Sequence, residues 1–429
     1  MTDAKPTVPV MRRTKRARDV VLVVVAGALL LSALVHVFCL KTMPDVVTLP
    51  EYSDLESRYY TTGPIWSTES FADGNFQSGF DAFLADRIPY RNNMVLMNAG
   101  LQRTGIATSA ALLGYDVYPT FFDSHYYVVP RDGIIVDRPE AAPAPDKETL
   151  QAWIGTLNNA AEQHPNMRMI YNCIARHDQC EANPAYRYFS NRINPAWIQA
   201  NILDRLDPRI ESFVDSVQSY DEIAAEWMLT EEHWTLERAL KSYNQVADRL
   251  SLRHYTYTDP VQVVTDSIGD YARSGLDLDI LVDLDDMPID FSNLTFYELN
   301  DPSQPDDGTN LTEKWMGLRD GVLSGEIVTE PRKTAQYYNY FGGGSAEAVN
   351  AGENNGKTMM FVGDSLAYCL QRYLASNYKR SIFLLPGNSR LTGSLEDYIQ
   401  KYHPDDLIVM THATKYETFA EFSPEIIGM

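Results

Sequence analysis

The feature that most constrains the fold is an alternation of apolar runs and amphipathic segments near the C-terminus. Two segments with helical spacing separate three short apolar runs, at 358–362, 381–385 and 407–410. Apolar runs of this length, joined by helices, are typical of buried strands in a parallel sheet with right-handed crossovers. Ligands of such sheets bind at the carboxyl ends of the strands. The sequence therefore predicts an α/β protein with a functional edge where these runs end.

The N-terminal region predicts a membrane anchor. Residues 20–40 contain no Asp, Glu, Lys or Arg side chain and one histidine, His36, and residues 1–19 carry six Lys and Arg side chains. At about 1.5 Å per residue this apolar run spans the ~30 Å core of a bilayer, and the basic residues before it favour a cytoplasmic N-terminus. We therefore expect a cytoplasmic tail at 1–19, a single transmembrane helix at 20–40 and an extracytoplasmic remainder in the cell membrane. A cleavable signal peptide is the alternative, although its apolar core is usually shorter.

The remainder of the chain is predicted to hold a stalk and one folded domain. Residues 41–70 are rich in Pro, Ser, Thr and Gly, as linkers are. We expect a catalytic domain at 71–429, with a hairpin near 123–136 and an irregular acidic insertion at about 255–356, where apolar spacing is absent. Outside the membrane, Cys173 and Cys180 would either form a disulfide or remain two thiols, and both alternatives stay open.

The charge of the chain argues against nucleic acid as a partner. It has 58 acidic and 36 basic side chains, for a formal net charge of -22. Surfaces that bind nucleic acid need positive charge to neutralise phosphates. The sequence also has no Cys/His cluster with zinc-site spacing and no Gly-rich phosphate loop. We therefore expect neither a metal nor another cofactor.

A Gly363-Asp364-Ser365 turn directly follows the first of the three apolar runs and begins the next helix. A serine at this place presents its hydroxyl at the carboxyl edge of the sheet, where amide groups at the helix start stabilise negative charge on a carbonyl oxygen. Ser365 is therefore a candidate nucleophile. The same tripeptide also makes an ordinary turn in which serine caps a helix, so the assignment depends on a base elsewhere in the chain.

The candidate for that base is His233, within the string TEEHWT at 230–235. Apolar residues at helical spacing follow this string, and Thr235 is the predicted N-cap of their helix. In an extended loop, residues 231 and 233 project to the same side, so Glu231 would hold the imidazole in the tautomer that a serine nucleophile needs. His412, directly after the third apolar run, is the alternative base.

This pairing of an acidic-x-His-Trp-Thr string with a downstream Gly-Asp-Ser resembles the SGNH-type extracytoplasmic O-acetyltransferases of the alginate acetylation group, also called the DHHW family. The resemblance covers roughly residues 70–415 and includes a motif at 86–91, the hairpin region 126–136 and the strand entry at 404–409. It implies an SGNH-hydrolase-like, flavodoxin-like three-layer fold with a parallel sheet. Where the family has Asp-His-His-Trp or Asp-x-His-Trp, this chain has Glu231-Glu232-His233-Trp234, so its acid is one methylene longer.

The resemblance implies a role for each of three residues: Ser365 as nucleophile, His233 as general base and acid, and Glu231 as the orienting carboxylate. It further implies transfer of an acetyl group through a serine acyl-enzyme to hydroxyls of a cell-surface or cell-wall polysaccharide. A multispanning membrane acyltransferase would be the partner that supplies the acetyl group. Two alternatives stay open: a glycan acetyl esterase, and a catalytically weak glycan-binding relative in which Glu231 is not accommodated.

Four more residues are predicted around this triad from their places in the chain. Asn388 and Arg390 follow the second apolar run, so they would lie beside Ser365 and donate to an oxyanion, with a simple surface turn as the alternative. Trp234 and Tyr368 would form an apolar wall for an acyl group or a sugar ring. The alternative for these two aromatic residues is a place in the core.

Overall fold

A computed structural model describes residues 58–88, 90–137, 146–188, 193–278, 281–299, 344–385 and 393–413, together with 52–53, 55, 318–319, 322–323, 391 and most of 20–35. The chain forms two compact units, 1–101 and 102–429. The described residues between 20 and 35 are helical. Within the described part of the chain, no helix combines the length and the apolar character needed to cross a membrane. The predicted tail at 1–19 and residues 36–40 of the predicted span lie outside the described residues.

The first unit contains an antiparallel ribbon and short helices. In the ribbon, β1 (Tyr52–Ser53) pairs with β2 (Arg58–Tyr59), and the helices that follow are α1 (Thr68–Ala72) and α2 (Asn75–Ala85). Residues 41–51, 54, 56 and 57 of the predicted stalk at 41–70 lie outside the described residues, and both the stalk and the domain start at 71 stay predictions.

The second unit is built on a sheet that is seven-stranded in the described residues. In chain order, the described strands of this unit are β3 (Tyr118–Pro119), β4 (Tyr126–Val129), β5 (Ile134–Asp137), β6 (Arg168–Ile174), β7 (Ile210–Asp215), β8 (Val261–Ser267), β9 (Val282–Asp286), β10 (Leu294–Glu298), β11 (Leu318–Arg319), β12 (Val322–Leu323), β13 (Ala346–Asn350), β14 (Thr358–Gly363), β15 (Arg380–Leu384) and β16 (Asp406–His412). The order across the large sheet is β10-β13-β15-β14-β16-β6-β7. The strands from β15 to β7 are parallel, whereas β13 is antiparallel to both of its neighbours.

Helices connect these strands. One long helix is α3 (Arg91–Leu113). The later helices are α4 (Lys147–Gln163), α5 (Pro195–Asn201), α6 (Tyr220–Glu226), α7 (Leu236–Leu250), α8 (Asp270–Ser274), α9 (Gln371–Ala375) and α10 (Leu395–Tyr402). Short 3-10 turns occur at His177–Gln179, Pro184–Tyr188, Leu203–Arg205 and Ser365–Leu370. The mixed α/β class and the parallel pairing of the three C-terminal strands are therefore confirmed.

The three C-terminal strands are continuous apolar runs because they are buried on both faces of the sheet. Every residue of β16 is buried, as is every residue of β14 except its first. A strand buried on both faces loses the alternation of polar and apolar residues that a half-exposed strand shows. The predicted hairpin is also confirmed, since β4 and β5 pair antiparallel with Val129 opposite Ile134.

The order of the parallel strands identifies the place where a ligand would bind. If β14, β15, β16, β6 and β7 are numbered 1 to 5 in that order, the parallel strands lie across the sheet in the order 2-1-3-4-5. This is the order of flavodoxin-like sheets, in which the winding reverses beside the first strand and ligands bind at that switch point. The turn after β14, which contains Ser365, therefore lies at the switch point.

Part of the segment at 255–356 belongs to the large sheet, so the prediction of an irregular insertion is wrong for those residues. β10 pairs with β13, and β13 pairs with β15. These strands have only five residues each, and in β10 buried Leu294 and Phe296 alternate with partly exposed residues. Such short alternation is easily missed among acidic residues. Much of the remaining acidic segment, including 300–317 and 324–343, lies outside the described residues.

Cys173 and Cys180 are two buried thiols, so the disulfide alternative does not hold in this structure. Cys173 lies inside β6, whereas the Cys180 thiol donates to the carbonyl oxygen of Arg176 at 3.4 Å. Burial raises the pKa of both thiols, that of Cys180 to about 12. Neither thiol is therefore expected to ionise near neutral pH.

Candidate active site

β14 ends in a glycine, Gly363, because no side chain would fit there. A Cβ on Gly363 would lie 2.3 Å from Cε1 of Phe361 and 2.8 Å from the carbonyl oxygen of Met410. Phe361 is fully buried and Met410 belongs to the neighbouring strand β16, so neither has room to move. The glycine thus allows the turn to pass close to β16 before it reaches Ser365.

Asp364 fixes this turn to the end of β16. Its Oδ1 accepts a hydrogen bond from the backbone N–H of Leu366 at 3.0 Å. Its Oδ2 accepts from the backbone N–H of His412 at 2.7 Å and from the Thr411 hydroxyl at 2.9 Å. Because one carboxylate satisfies donors on both segments, Ser365 is held at the carboxyl edge of the sheet.

The loop that carries His233 is closed by backbone hydrogen bonds between α6 and α7. The N–H of Met228 donates to the carbonyl oxygen of His233 at 3.0 Å, and the N–H of Thr235 donates to that of Glu226 at 2.9 Å. The Thr235 hydroxyl accepts from the N–H of Arg238, which confirms its predicted place as the N-cap of α7. The imidazole is therefore carried on a short loop held at both ends.

The fold brings Ser365, His233 and Glu231 together across 132 positions of sequence. Nε2 of His233 lies 2.9 Å from Oγ of Ser365, and Nδ1 lies 2.7 Å from Oε1 of Glu231. His233 and Glu231 have exposures of 0% and 1%, whereas Ser365 is partly exposed. A carboxylate that accepts the Nδ1 proton leaves Nε2 able to accept the serine proton. The arrangement has the connectivity of a serine triad, and the extra methylene of Glu231 is accommodated.

The surroundings of His233 favour its protonated form. Burial by itself would lower the pKa of the imidazole. The hydrogen bond to Glu231 and the charges of Glu231, Glu232 and Asp364 outweigh that effect and raise the pKa above its ordinary value. If His233 is the general base that the sequence predicts, it must be neutral before it can accept a proton, and activity would then fall as the pH drops through this raised pKa.

We expect the acidic limb of the kcat/KM profile to have its midpoint above 6.5, the ordinary imidazole value. In Glu231→Gln the neutral amide stabilises the imidazolium less than the carboxylate does, so the midpoint shifts to lower pH while the rate falls. Initial rates on a small acetyl ester between about pH 4.5 and 8.5, roughly two units on either side of an ordinary histidine, would measure both. A parent midpoint at or below 6.5 would contradict the prediction.

Trp234 and Tyr368 do not form the predicted apolar wall. Trp234 is 0% exposed, and its Nε1 donates to the carbonyl oxygen of Leu366 at 2.8 Å. Tyr368 is 3% exposed within the 3-10 turn after Ser365. Side chains so deeply buried offer no surface to a ligand, and the prediction is wrong for both. Trp234 instead joins the histidine loop to the serine turn.

Three further residues are predicted from the sequence to take part in the site: Asn388, Arg390 and the alternative base His412. Asn388 and Arg390 lie outside the described residues, so their oxyanion role stays a prediction. The alternative base His412 ends β16, and its Nε2 lies 3.9 Å from Oδ2 of Asp364. Among the described hydrogen bonds, the imidazole paired with Ser365 Oγ is that of His233, at 2.9 Å.

Sequence reasoning missed the residues that support the His233 loop from outside it. The carbonyl oxygen of Thr230 accepts from the N–H groups of Tyr271 and Ala272 at the start of α8, at 3.0 and 3.2 Å. A Cβ on Gly269 would lie only 2.1 Å from the same oxygen. The signal in the sequence is one glycine before a short helix, and nothing local links position 269 to position 230.

Neither a protein-family model nor a curated protein matches the chain. Among solved structures, a DHHW family protein from Eubacterium siraeum has a TM-score of 0.51 at 13% identity, covering 70% of this chain and 95% of that one. The two proteins share a fold. That likeness agrees with the SGNH-like α/β architecture implied by the sequence resemblance. Bacillus cereus PatB1 matches with a TM-score of 0.48 at 13% identity, covering 68% of this chain and 97% of that one.

Proposed function

We propose that the chain is a serine-dependent O-acetyltransferase that acts outside the cytoplasm on the hydroxyls of a polysaccharide. The observation that carries the proposal is the continuous hydrogen-bonded series from Glu231 through His233 to Ser365. Its place at the switch point of the parallel sheet supports the proposal, because ligands of such sheets bind there. The fold shared with a DHHW family protein also agrees with it.

The proposed reaction has two halves that share one acyl-enzyme. His233 Nε2 takes the proton of Ser365 as Oγ attacks the carbonyl carbon of a donor acetyl ester. The bond from that carbon to the donor oxygen then breaks, and His233 returns the proton to the leaving alcohol. In the second half, a sugar hydroxyl gives its proton to His233 and attacks the acetyl-serine, and the released Ser365 oxygen takes that proton back. Glu231 stabilises the imidazolium in both halves.

The proposal includes a place at the membrane and two partners. Residues 20–40 would anchor the chain, as their apolar composition and the basic residues before them predict. The acetyl donor would come from a multispanning membrane acyltransferase, and the acceptor would be a polysaccharide near the membrane surface. Transfer from a ready-made acetyl ester requires only an activated alcohol and a proton carrier, both of which the triad supplies.

Ser365 is expected to form the acetyl ester. After incubation with p-nitrophenyl acetate, the intact mass of the protein should increase by one acetyl group, and Ser365→Ala should abolish this gain because the attacking oxygen is removed. Ser109→Ala is the matched control, since Ser109 is an exposed serine on α3 whose hydroxyl donates to the carbonyl oxygen of Gly105. No adduct in the parent protein would instead favour the non-catalytic, glycan-binding relative.

The same preparation separates transferase from esterase. A transferase should place acetyl groups on added polysaccharide, and its release of free acetate should fall as the acceptor concentration rises. An esterase should release acetate at one rate whether or not the acceptor is present. Both activities use the acyl-enzyme on Ser365, so only the fate of the acetyl group distinguishes them.

A further inference from the structure

Two glutamates stand side by side before His233, and the structure gives them different partners. Glu231 is buried and lies 2.7 Å from Nδ1 of His233. Glu232 keeps 30% of its side chain exposed, and its Oε2 lies 3.6 Å from Nη1 of Arg176. Alternation along the loop turns residue 232 away from the side that 231 and 233 share, and the contact with Arg176 lies on that other side.

Arg176 is fixed in place before it meets Glu232. It lies just beyond the carboxyl end of β6 and is buried, and its Nε and Nη2 donate to the two oxygens of Asp178 at 3.2 and 2.8 Å. Its backbone N–H donates to Oε1 of Gln179 at 2.9 Å. A bidentate carboxylate locks one edge of the planar guanidinium, so Nη1 on the other side has a defined direction.

The same Nη1 is also linked, through Tyr271, to the residue that precedes Glu231. It donates to the hydroxyl of Tyr271 at 3.5 Å, and the backbone N–H of Tyr271 donates to the carbonyl oxygen of Thr230 at 3.0 Å. Arg176 therefore contacts the histidine loop directly at Glu232 and indirectly at Thr230. These two residues flank the orienting carboxylate.

We propose that Arg176 is a positioning residue that holds the Glu232 carboxylate away from His233, so that Glu231 rather than Glu232 orients the imidazole. The inference rests on the proposed function, because an orienting carboxylate matters to the reaction only if His233 acts as its base. Arg176 contacts neither Ser365 nor the imidazole in the described hydrogen bonds and acts through Glu232.

The charges around His233 determine what loss of the guanidinium would do. The imidazole faces Glu231 and Glu232 of its own loop, Asp364 of the serine turn and Asp270 at the start of α8. Each of these groups is acidic, so each stabilises the imidazolium. An uncompensated Glu232 would stabilise it further.

The charges around Arg176 show that Glu232 is a specific partner. The guanidinium faces Asp178 on its own turn, Glu232 on the histidine loop, Tyr271 on α8 and Asp137 at the end of β5. Asp178 is 3% exposed at the side chain, whereas Glu232 is 30% exposed and stands between Glu231 and His233 in the chain. Removing Arg176 therefore leaves the Glu232 carboxylate without this cationic partner.

The test is an NMR titration of the His233 ring in the full protein, assigned by its loss in His233→Ala. Arg176→Gln should raise the titration midpoint and Glu232→Gln should lower it, each by on the order of half a pH unit. The double variant should titrate close to the parent, since both members of the ion pair are gone. Arg209→Gln is the control, because it changes the net charge equally. Arg209 pairs with Asp207 at the amino end of β7, whereas Arg176 lies beyond the carboxyl end of the neighbouring parallel strand β6.

Shifts of Arg176→Gln and Glu232→Gln in the same direction, or an unchanged midpoint in Glu232→Gln, would overturn the inference. If Arg176→Gln does not fold, Glu232→Gln decides the matter, since its partly exposed side chain can be replaced without opening the core. The titration uses no substrate, so its result is independent of acetylation. If Ser365 does not accept an acetyl group, the proposed function is wrong. The titration midpoints of His233 in the variants would still show whether Arg176 and Glu232 act on the imidazole as an ion pair.

Discussion

His233→Ala is expected to lower kcat/KM on an acetyl ester by on the order of 10³ or more, as loss of the base does in serine triads. The alanine has no nitrogen at the position 2.9 Å from Ser365 Oγ, so the serine must attack as a neutral alcohol. The variant should still fold, because the loop keeps its backbone hydrogen bonds to Met228 and Glu226. Steady-state kinetics with thermal unfolding in parallel would measure both.

His412→Ala is the matched comparison. His412 holds the Asp364 carboxylate through its backbone N–H, which alanine retains, while its ring lies 3.9 Å from that carboxylate. We expect this variant to keep its activity within about tenfold of the parent. Near-normal turnover in His233→Ala together with an inactive His412→Ala would transfer the role of base to His412.

The three C-terminal strands could be predicted because strands buried on both faces have continuous apolar runs in their sequence. The strands β10 and β13 could not, since each has five residues and lies beside acidic segments. The pairing of β16 with β6 could not be predicted either, because its partners Asp406 and Arg168 are 238 positions apart in the sequence. Local spacing identifies strands but carries no information about which distant strands become neighbours.

The permuted order of the sheet explains why the histidine precedes the serine in this chain. The chain enters the sheet at its fourth and fifth strands, β6 and β7, and the loop with His233 follows the fifth. The first strand, β14, comes later and is followed at once by Ser365. The two blocks meet in space because the sheet order is that of a flavodoxin-like fold, whichever strand the chain starts with.

The candidate triad could be proposed from sequence because each of its parts has a local signature. Alternation places residues 231 and 233 on one side of a loop, and an N-cap marks where that loop ends. The roles of Trp234 and Tyr368 had no such signature, since an aromatic residue beside a site is equally compatible with the core. Arg176 had none either, because its partner Glu232 is 56 positions away, by the difference of their numbers, and is reached only through the fold.

Gly269→Ala is expected to damage the site from outside the triad. A Cβ at this position would lie 2.1 Å from the carbonyl oxygen of Thr230 and 2.5 Å from its hydroxyl oxygen, so the two segments must separate. Overpacking of this kind costs about 1–3 kcal/mol of folding free energy. Thr230 immediately precedes Glu231, so the displacement also moves the orienting carboxylate. A shift of about 1 Å at such a group can cost on the order of 10² in rate.

Chemical denaturation and kcat/KM, measured at a temperature where the variant is folded, would separate the two effects. Gly155→Ala is the matched control, because Gly155 lies within α4 with open space around its Cβ position. That change should leave activity intact and add up to about 1 kcal/mol of stability, as alanine does within a helix. Parent-like activity and stability in Gly269→Ala would mean that the contact between position 269 and Thr230 does not hold the loop. The support of Glu231 would then have to come from the hydrogen bonds that the N–H groups of Tyr271 and Ala272 donate to Thr230.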